Sequence, residues 1–247
     1  MNTGEKYRYL FDQAADSGVS ELIAFGSCPV SPDGRKAPVL WKKIAESDGK
    51  ILLISEMCID VLPYEEKGTS VTWEECSLRK YLNTVMLDEM FSEEEQRLIT
   101  ETKNENPDNT YFHAKGGEPS AGGRETTDQI FLLSADEAEK YFTEGRNKAA
   151  RLTEYASSKC HESVSDVNSV SYWLRGPGMR QNLAVYVRPD GAVEHTGYHT
   201  DCRDFAVRPA IWVNASDPEF EHLLKYRMGS IAESGQSALE KAERKPD

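Results

Sequence analysis

Residues 171–213 read SYWLRGPG (171–178), MRQNLAVYVRPDGAVEHTGYHTDCRD (179–204) and FAVRPAIWV (205–213). Each apolar end carries a Trp and an Arg: Trp173 with Arg175, and Arg208 with Trp212. Between them Leu183, Val185 and Val187 alternate with Asn182, Ala184 and Tyr186, the two-residue period of a half-buried strand. Arg188-Pro189-Asp190-Gly191 follows as a turn, with Pro189 presetting φ and Gly191 suited to the left-handed conformation that returns the chain. Ala192 to Tyr198 is then the second strand of a hairpin. Phe205, Val207, Ile211 and Val213 are expected on one face of a third strand, with Pro209, which has no N–H, placing it at an edge or at a bulge. Three antiparallel strands are enough to hold together as a sheet.

Outward from this stretch, the upstream chain supplies more strands and then helices. Leu22 to Phe25 is a strand ending at Gly26, and Val39–Ile44 and Lys50–Ile54 are joined by Glu46-Ser47-Asp48-Gly49, an Asp-Gly hairpin. Ile51-Leu52-Leu53-Ile54 is apolar without alternation, which predicts a central strand covered on both faces. Thr72-x-x-Glu75, Ser92-x-x-Glu95 and Ser134-x-x-Glu137 have capping-box spacing, each before a helical pattern. In the third, Leu133 and Ala138 are placed as a hydrophobic staple. Thr102 to Thr126 is polar and Gly-rich, a long surface loop, and Ile130 to Leu133 is a further strand. Helices mid-chain with strands on either side indicate an α+β class with mixed or antiparallel sheets and two or three helices. The expected organisation is an N-terminal helical lead-in over 1–20 (helix within 7–15), one domain over 21–215 and a polar helical appendage over 216–247.

The chain has 247 residues, room for a sizeable core, and a formal net charge of −13. That acidity argues against nonspecific binding to nucleic acid or anionic membranes, which needs a basic patch. The start of the chain lacks the apolar segment of a signal peptide and no run reaches transmembrane length, so a cytoplasmic protein is expected, without membrane insertion. Specialised export or surface display stays open. The five cysteines (Cys28, Cys58, Cys76, Cys160, Cys202) are odd in number and form no C-x-x-C pair, so ordinary reduced residues are expected.

FGS, PVLWKKI, DGKILLISE, TWEECSLRKYLN, FSEEEQRLI, TTDQIFLLSADEAEKYF, YWLRGPG and VRPAIWV occur in that order. From about Ile23 to about Asn214 this succession resembles an uncharacterised bacterial domain family of unknown function. That family in turn resembles the C-type-lectin-like superfamily near its formylglycine-generating, sulfatase-modifying branch, which also ends in a Trp/Arg-rich segment, an irregular hairpin and a closing strand with a buried Arg. The resemblance implies a C-type-lectin-like fold of the formylglycine-generating-enzyme-like subtype. The enzymes of that branch use two reactive cysteines near the C-terminus. Only Cys202 lies in that stretch here, so their oxidase activity is not carried over. Some members of the superfamily resemble variable proteins of diversity-generating retroelements, and the varied residues on a regular frame between Trp173 and Arg208 fit that pattern.

Arg79, Arg175 and Arg208 lie inside apolar motifs. Such guanidinium groups can clamp an anion, but their packed neighbours favour buried pairs that fix the fold. With Trp173 and Trp212 they are read as structural, and Trp173, Arg175, Arg208 and Trp212 are expected to be largely buried in one cluster at the base of the final sheet. His195, His199, Asp201 and Cys202 have the residue types of a metal or Cys/His site. Their spacing on a hairpin lacks the helical face that makes H-x-x-x-H diagnostic, so no catalytic residue, metal or cofactor is assigned. Isolated His113 and His161 and the Gly116-Gly117 and Gly122-Gly123 pairs carry no site. Tyr186 and Tyr198, on the polar faces of their strands, suit a recognition surface. Ligand binding is therefore expected at Tyr186, Arg188, His195, Tyr198, His199, Asp201 and Arg203, toward a protein or carbohydrate, with no enzymatic activity. Two alternatives stand beside it. One is an enzyme of the sulfatase-modifying or hydrolase type, needing a cleft that joins Cys202 or a histidine to a positioned acid or base. The other is an assembly module that docks a partner through its acidic C-terminal helices.

Overall fold

The computed structural model describes residues 22–111, 118–142, 148–160 and 169–224. The helix expected within 7–15, His113, His161 and most of the 216–247 segment lie outside them. Asp48 and Gly49 both hold positive φ (52° and 73°), the geometry of a type I′ turn, and join β2 (Lys36–Ser47) to β3 (Lys50–Ser55). Together with β1 (Leu22–Pro29) these strands form a four-stranded antiparallel sheet in the order β1-β2-β3-β11, where β11 is Ala210–Asn214. Lying between β2 and β11, Ile51 to Ile54 are all buried, as a strand apolar on both faces should be.

The second sheet has five strands in the order β4-β10-β7-β8-β9: Asp60–Val61, Ala206–Val207, Tyr172–Pro177, Leu183–Val187 and Val193–His199. The hairpin β8–β9 closes through Arg188–Gly191 as its turn residues predict, with Gly191 N–H donating to the Arg188 carbonyl at 2.9 Å. The single third strand expected over Phe205–Val213 is instead two strands. Ala206–Val207 joins the hairpin sheet, running parallel to β7, and after Arg208-Pro209 the chain passes to the other sheet as β11. Pro209 marks the crossing: its carbonyl accepts Ser55 N–H at 3.0 Å, where a strand interior would have needed its own donor. The sheets are thus one antiparallel and one mixed, in an α+β fold.

The helices follow their caps more closely than their apolar periods. Ser92 and Ser134 both make complete capping boxes, opening α3 (Glu93–Leu98) and α4 (Ala135–Tyr141). Thr72-x-x-Glu75 does not. It forms a turn, and α1 (Ser77–Tyr81) begins only at Cys76, whose Sγ accepts Arg79 N–H. The helix then loosens into a π-helical turn over Leu82–Met86 before α2 (Leu87–Met90). Ile130–Leu133 is buried but is no strand, making a lone bridge from Phe131 to Ala210. The polar 102–126 segment is not all loop, because its ends pair as β5 (Thr102–Asn104) and β6 (Thr126–Asp128). A short helix α5 (Glu154–Lys159) is capped by Thr153. Another begins at 218 and packs Phe220 on Phe25, carrying the core beyond residue 215.

Candidate functional site

The hairpin carries an aromatic series from the core to the surface. Trp73 meets Tyr64 and Tyr64 meets Trp173 edge-on, at centroid separations of 6.0 and 5.9 Å. Trp173 stacks on Phe205 at 4.1 Å, and Phe205 in turn on Tyr198 at 5.1 Å. Tyr186 stands edge-on to both Phe205 and Tyr198. Register accounts for the grouping: Tyr186 lies opposite Trp173 on β7 and Glu194 on β9, while an irregularity in β9 sets Tyr198 opposite Ala184. Gly197, at φ 76°, makes that irregularity possible, and its Cα lies so close to Gly178 that a Cβ there would come within 2.7 Å of the Gly178 Cα. The second Gly of RGPG is therefore explained by strand packing. The face expected to be polar is an aromatic one that emerges at Tyr198, 46% exposed.

Tyr186, Tyr198 and His199 gather toward the open end of the hairpin, where Tyr198 lies opposite Ala184 and His199 opposite Leu183, whereas Arg188 lies at the closed end beside the turn. The His199 ring is edge-on to Tyr198, and the Arg188 and Glu194 charges act on the Tyr186 phenol, whose pKa is raised first by burial and then by Glu194. Glu194 itself is held below the usual carboxylate range, chiefly because Thr196 Oγ1 donates to it at 2.5 Å. Asp201 and Arg203 lie on the exposed turn leading to Phe205. Asp201 abuts Gly68, and Arg203 pairs with Glu66 at 2.7 Å. His195 does not join them. It points to the other side of β9, where its ring stacks on Tyr111 at 4.7 Å and its Nε2 is 3.6 Å from Glu139. There Asn109 Nδ2 donates to the carbonyls of Pro177 and His195, so the 105–111 segment is tied to the hairpin.

The arginines and tryptophans do not form one cluster. Arg175 donates to Glu137, to Asn106 Oδ1 and to the carbonyls of Leu132 and Glu105. Arg208, 1% exposed, donates to the carbonyls of Ser55 and Lys148 and to Tyr172 Oη, between the rings of Phe142 and Tyr172. Arg79 pairs with Asp128, a carboxylate that also accepts Trp73 Nε1, Asn104 Nδ2 and Thr126 Oγ1. Trp173 donates its Nε1 to the Leu62 carbonyl, whereas Trp212 sits half-buried opposite Leu52 in the other sheet. The gathering of all four at the base of one sheet fails because the chain changes sheets between Arg208 and Trp212.

A small cleft that the sequence did not suggest lies between Cys28, Asp60, Tyr81, Glu89 and Tyr155, with a volume near 30 Å³, room for about two waters. Asp60 accepts Lys159 Nζ at 2.6 Å, and burial pushes its carboxyl above the usual range. Burial is also the largest influence on Lys159 and lowers it, but the bond to Asp60, the Asp60 charge and Tyr155 together outweigh it and hold the ammonium above its usual range. The residues come from four distant segments, so no local motif could have marked them. Burial also pushes the Cys28 thiol up to about 12. Cys202 is raised by burial and by Asp204 and Asp201, against the low pKa a thiolate nucleophile needs. Among the described residues, no three His, Cys, Asp or Glu side chains gather as metal ligands, and no helix is long and apolar enough to cross a membrane.

Searches of curated proteins and of solved structures return no match. One domain family matches residues 48–215, more than half of the chain and the whole span from the Asp48 turn to the end of β11. The chain therefore belongs to the family described as domain of unknown function (DUF6273).

Proposed function

We propose that this protein is a non-enzymatic ligand-binding protein whose C-terminal hairpin and following turn form the recognition surface. The observation that carries it is the aromatic series ending at Tyr198: a ring nearly half open to solvent, held rigid from beneath by Phe205 and Trp173. A large ring that loses little freedom on binding is a good anchor for a ligand. His199, Asp201 and Arg203 are exposed beside it or on the turn that follows, Arg188 is exposed at the closed end of the hairpin, and all four supply polar contacts. The scaffold is C-type-lectin-like in this proposal, supported by the return of β11 to the sheet of the first three strands. Diversification by a retroelement belongs to the same proposal. It is favoured by the exposure of these four and of Tyr198, where substitution leaves the core untouched.

The test combines Tyr198→Ser, His199→Ala, Asp201→Ala and Arg203→Ala in one variant and presents it, beside the wild type, to a glycan array and a peptide-display library. The wild type should select ligands that the variant does not, at nearly unchanged melting temperature. Equal selection by both proteins, or a variant that does not fold, rejects the proposal.

A further inference from the structure

Resting on that recognition surface, we infer that its partner is a protein or peptide that lays an arginine side chain on Tyr198. The rings of Trp173, Phe205 and Tyr198 are stacked within 17° and 29° of one another, and exposure rises from 0% through 7% to 46% along the series. One side of Tyr198 rests on Phe205, so the open side continues the stack and calls for a flat group. Tyr186 and His199 stand edge-on to Tyr198 and narrow the approach to a slab. Three kinds of flat group compete for such a place: a sugar face, an aromatic ring and a guanidinium.

Charge decides among them. Carboxylates are spread along the hairpin and the turn after it, among them Glu66, Asp190, Glu194, Asp201 and Asp204. Two are already neutralised, Glu66 by Arg203 at 2.7 Å and Asp190 by Arg188 at 3.1 Å. Glu194 and Asp201 have no salt bridge among the described residues. The electron-rich face of a Tyr attracts a cation, and neighbouring unpaired carboxylates add to that attraction. The net charge of −13 draws a basic partner from a distance. Among the described residues, cation–π contacts lie on Tyr141, Tyr155, Phe131, Phe142 and Tyr172, and none of them is on the Tyr198 ring. Guanidinium is preferred to ammonium because it is planar, weakly hydrated and able to stack while its edge donates to a carboxylate.

The probe is the blocked peptide Gly-Arg-Gly, titrated into the full chain carrying ¹³C-labelled tyrosine, with Gly-Lys-Gly, Gly-citrulline-Gly and methyl glucoside as comparisons. Ring resonances of Tyr198 should move with the arginine peptide, and its affinity should exceed that of the citrulline peptide about twofold to fivefold, the cation–π range at an exposed site. The shift should weaken as salt is raised, survive Tyr198→Phe and vanish in Tyr198→Leu. Glu194→Gln with Asp201→Asn should bring the arginine peptide down to the citrulline level while the melt stays unchanged. Equal affinity for the arginine and citrulline peptides overturns the inference. So does a shift of Tyr198 by methyl glucoside alone, although that outcome leaves the recognition surface itself standing. A Tyr198 silent to every probe also overturns it, and the glycan array and display library then judge the surface independently.

Discussion

Arg208→Ala should be among the most damaging single changes in this fold. The guanidinium pins the point where the chain leaves the hairpin sheet for the sheet of β3, by donating to Ser55 at the end of β3, to Tyr172 on β7 and to the Lys148 carbonyl. Ser55 N–H returns a bond to the Pro209 carbonyl, so both sides of the crossing are tied at one residue. No carboxylate faces Arg208 in these contacts, so its removal strands no opposite charge. It leaves a void between Phe142 and Tyr172 and deprives the Ser55 carbonyl of its Arg208 partner, while Lys148 O keeps the Tyr172 hydroxyl at 2.7 Å. Losing charge-assisted bonds at about 1.5–3 kcal/mol each, partly offset by the relieved desolvation of the cation, gives a net cost of about 3–5 kcal/mol. For a domain of this size that is a fall in Tm of roughly 6–20 °C. Arg208→Met keeps the stem volume against the two rings and should cost less, about 1–3 kcal/mol for the stranded carbonyl. Urea unfolding and calorimetry of both variants provide the check. An Ala variant within about 1 kcal/mol of wild type, or a Met variant worse than the Ala one, refutes the pinning role.

Four further outcomes are expected. Gly197→Ala combines a positive φ with contact on the Gly178 Cα, so it should destabilise by more than the ~1 kcal/mol of an ordinary strand Gly and perturb the hairpin amides in NMR spectra. Glu95→Ala removes the α3 capping box and the bond from Gly26 N–H to this buried carboxylate, a loss of about 1–3 kcal/mol readable in urea. Asp60 has its folded pKa raised above 3.8, so its protonated form is favoured in the native state. Its contribution is fully present below 3.8 and is lost as pH rises through the folded value, so the stability of wild type relative to Asp60→Asn should increase on acidification toward pH 3.8 and not decrease. Thiol labelling of the native protein should modify half-buried Cys160 and Cys202 first, with buried Cys28, Cys58 and Cys76 reacting only on unfolding, and a denatured, unreduced sample should titrate all five.

What was legible in the sequence is what local chemistry decides. The Asp48-Gly49 and Arg188–Gly191 turns, the Ser92 and Ser134 caps and the apolar β3 are each specified by a few adjacent residues. The crossing at Arg208-Pro209 was not legible, because Phe205, Val207, Ile211 and Val213 keep one apolar alternation across it, and only pairing partners far away in sequence divide the segment. Thr72 misled as a cap because the turn it opens places Cys76 at the helix start. For the candidate site, Tyr186 and Tyr198 were found as aromatic residues on strands, but their shared face was misjudged. An irregularity at Gly197 decides it, and Phe205, the ring that joins them, comes from the next strand's approach. The sequence reads His195 as facing outward with Tyr186 and Tyr198, whereas it turns to the other side of β9, toward Tyr111 and Glu139. Asp128 and the Asp60 cleft depend on contacts between distant segments, for which no spacing rule exists.

Recognition at the Tyr198 end of the hairpin is tested most directly by mapping amide and tyrosine-ring shifts of the full chain as it binds a ligand selected by display. The largest shifts should centre on Tyr198 and spread to Tyr186, His199 and Arg203, leaving the Asp60 cleft undisturbed. Shifts centred on Cys28, Asp60 and Tyr81, or on the segment around Tyr111, with Tyr198 unmoved, would contradict it.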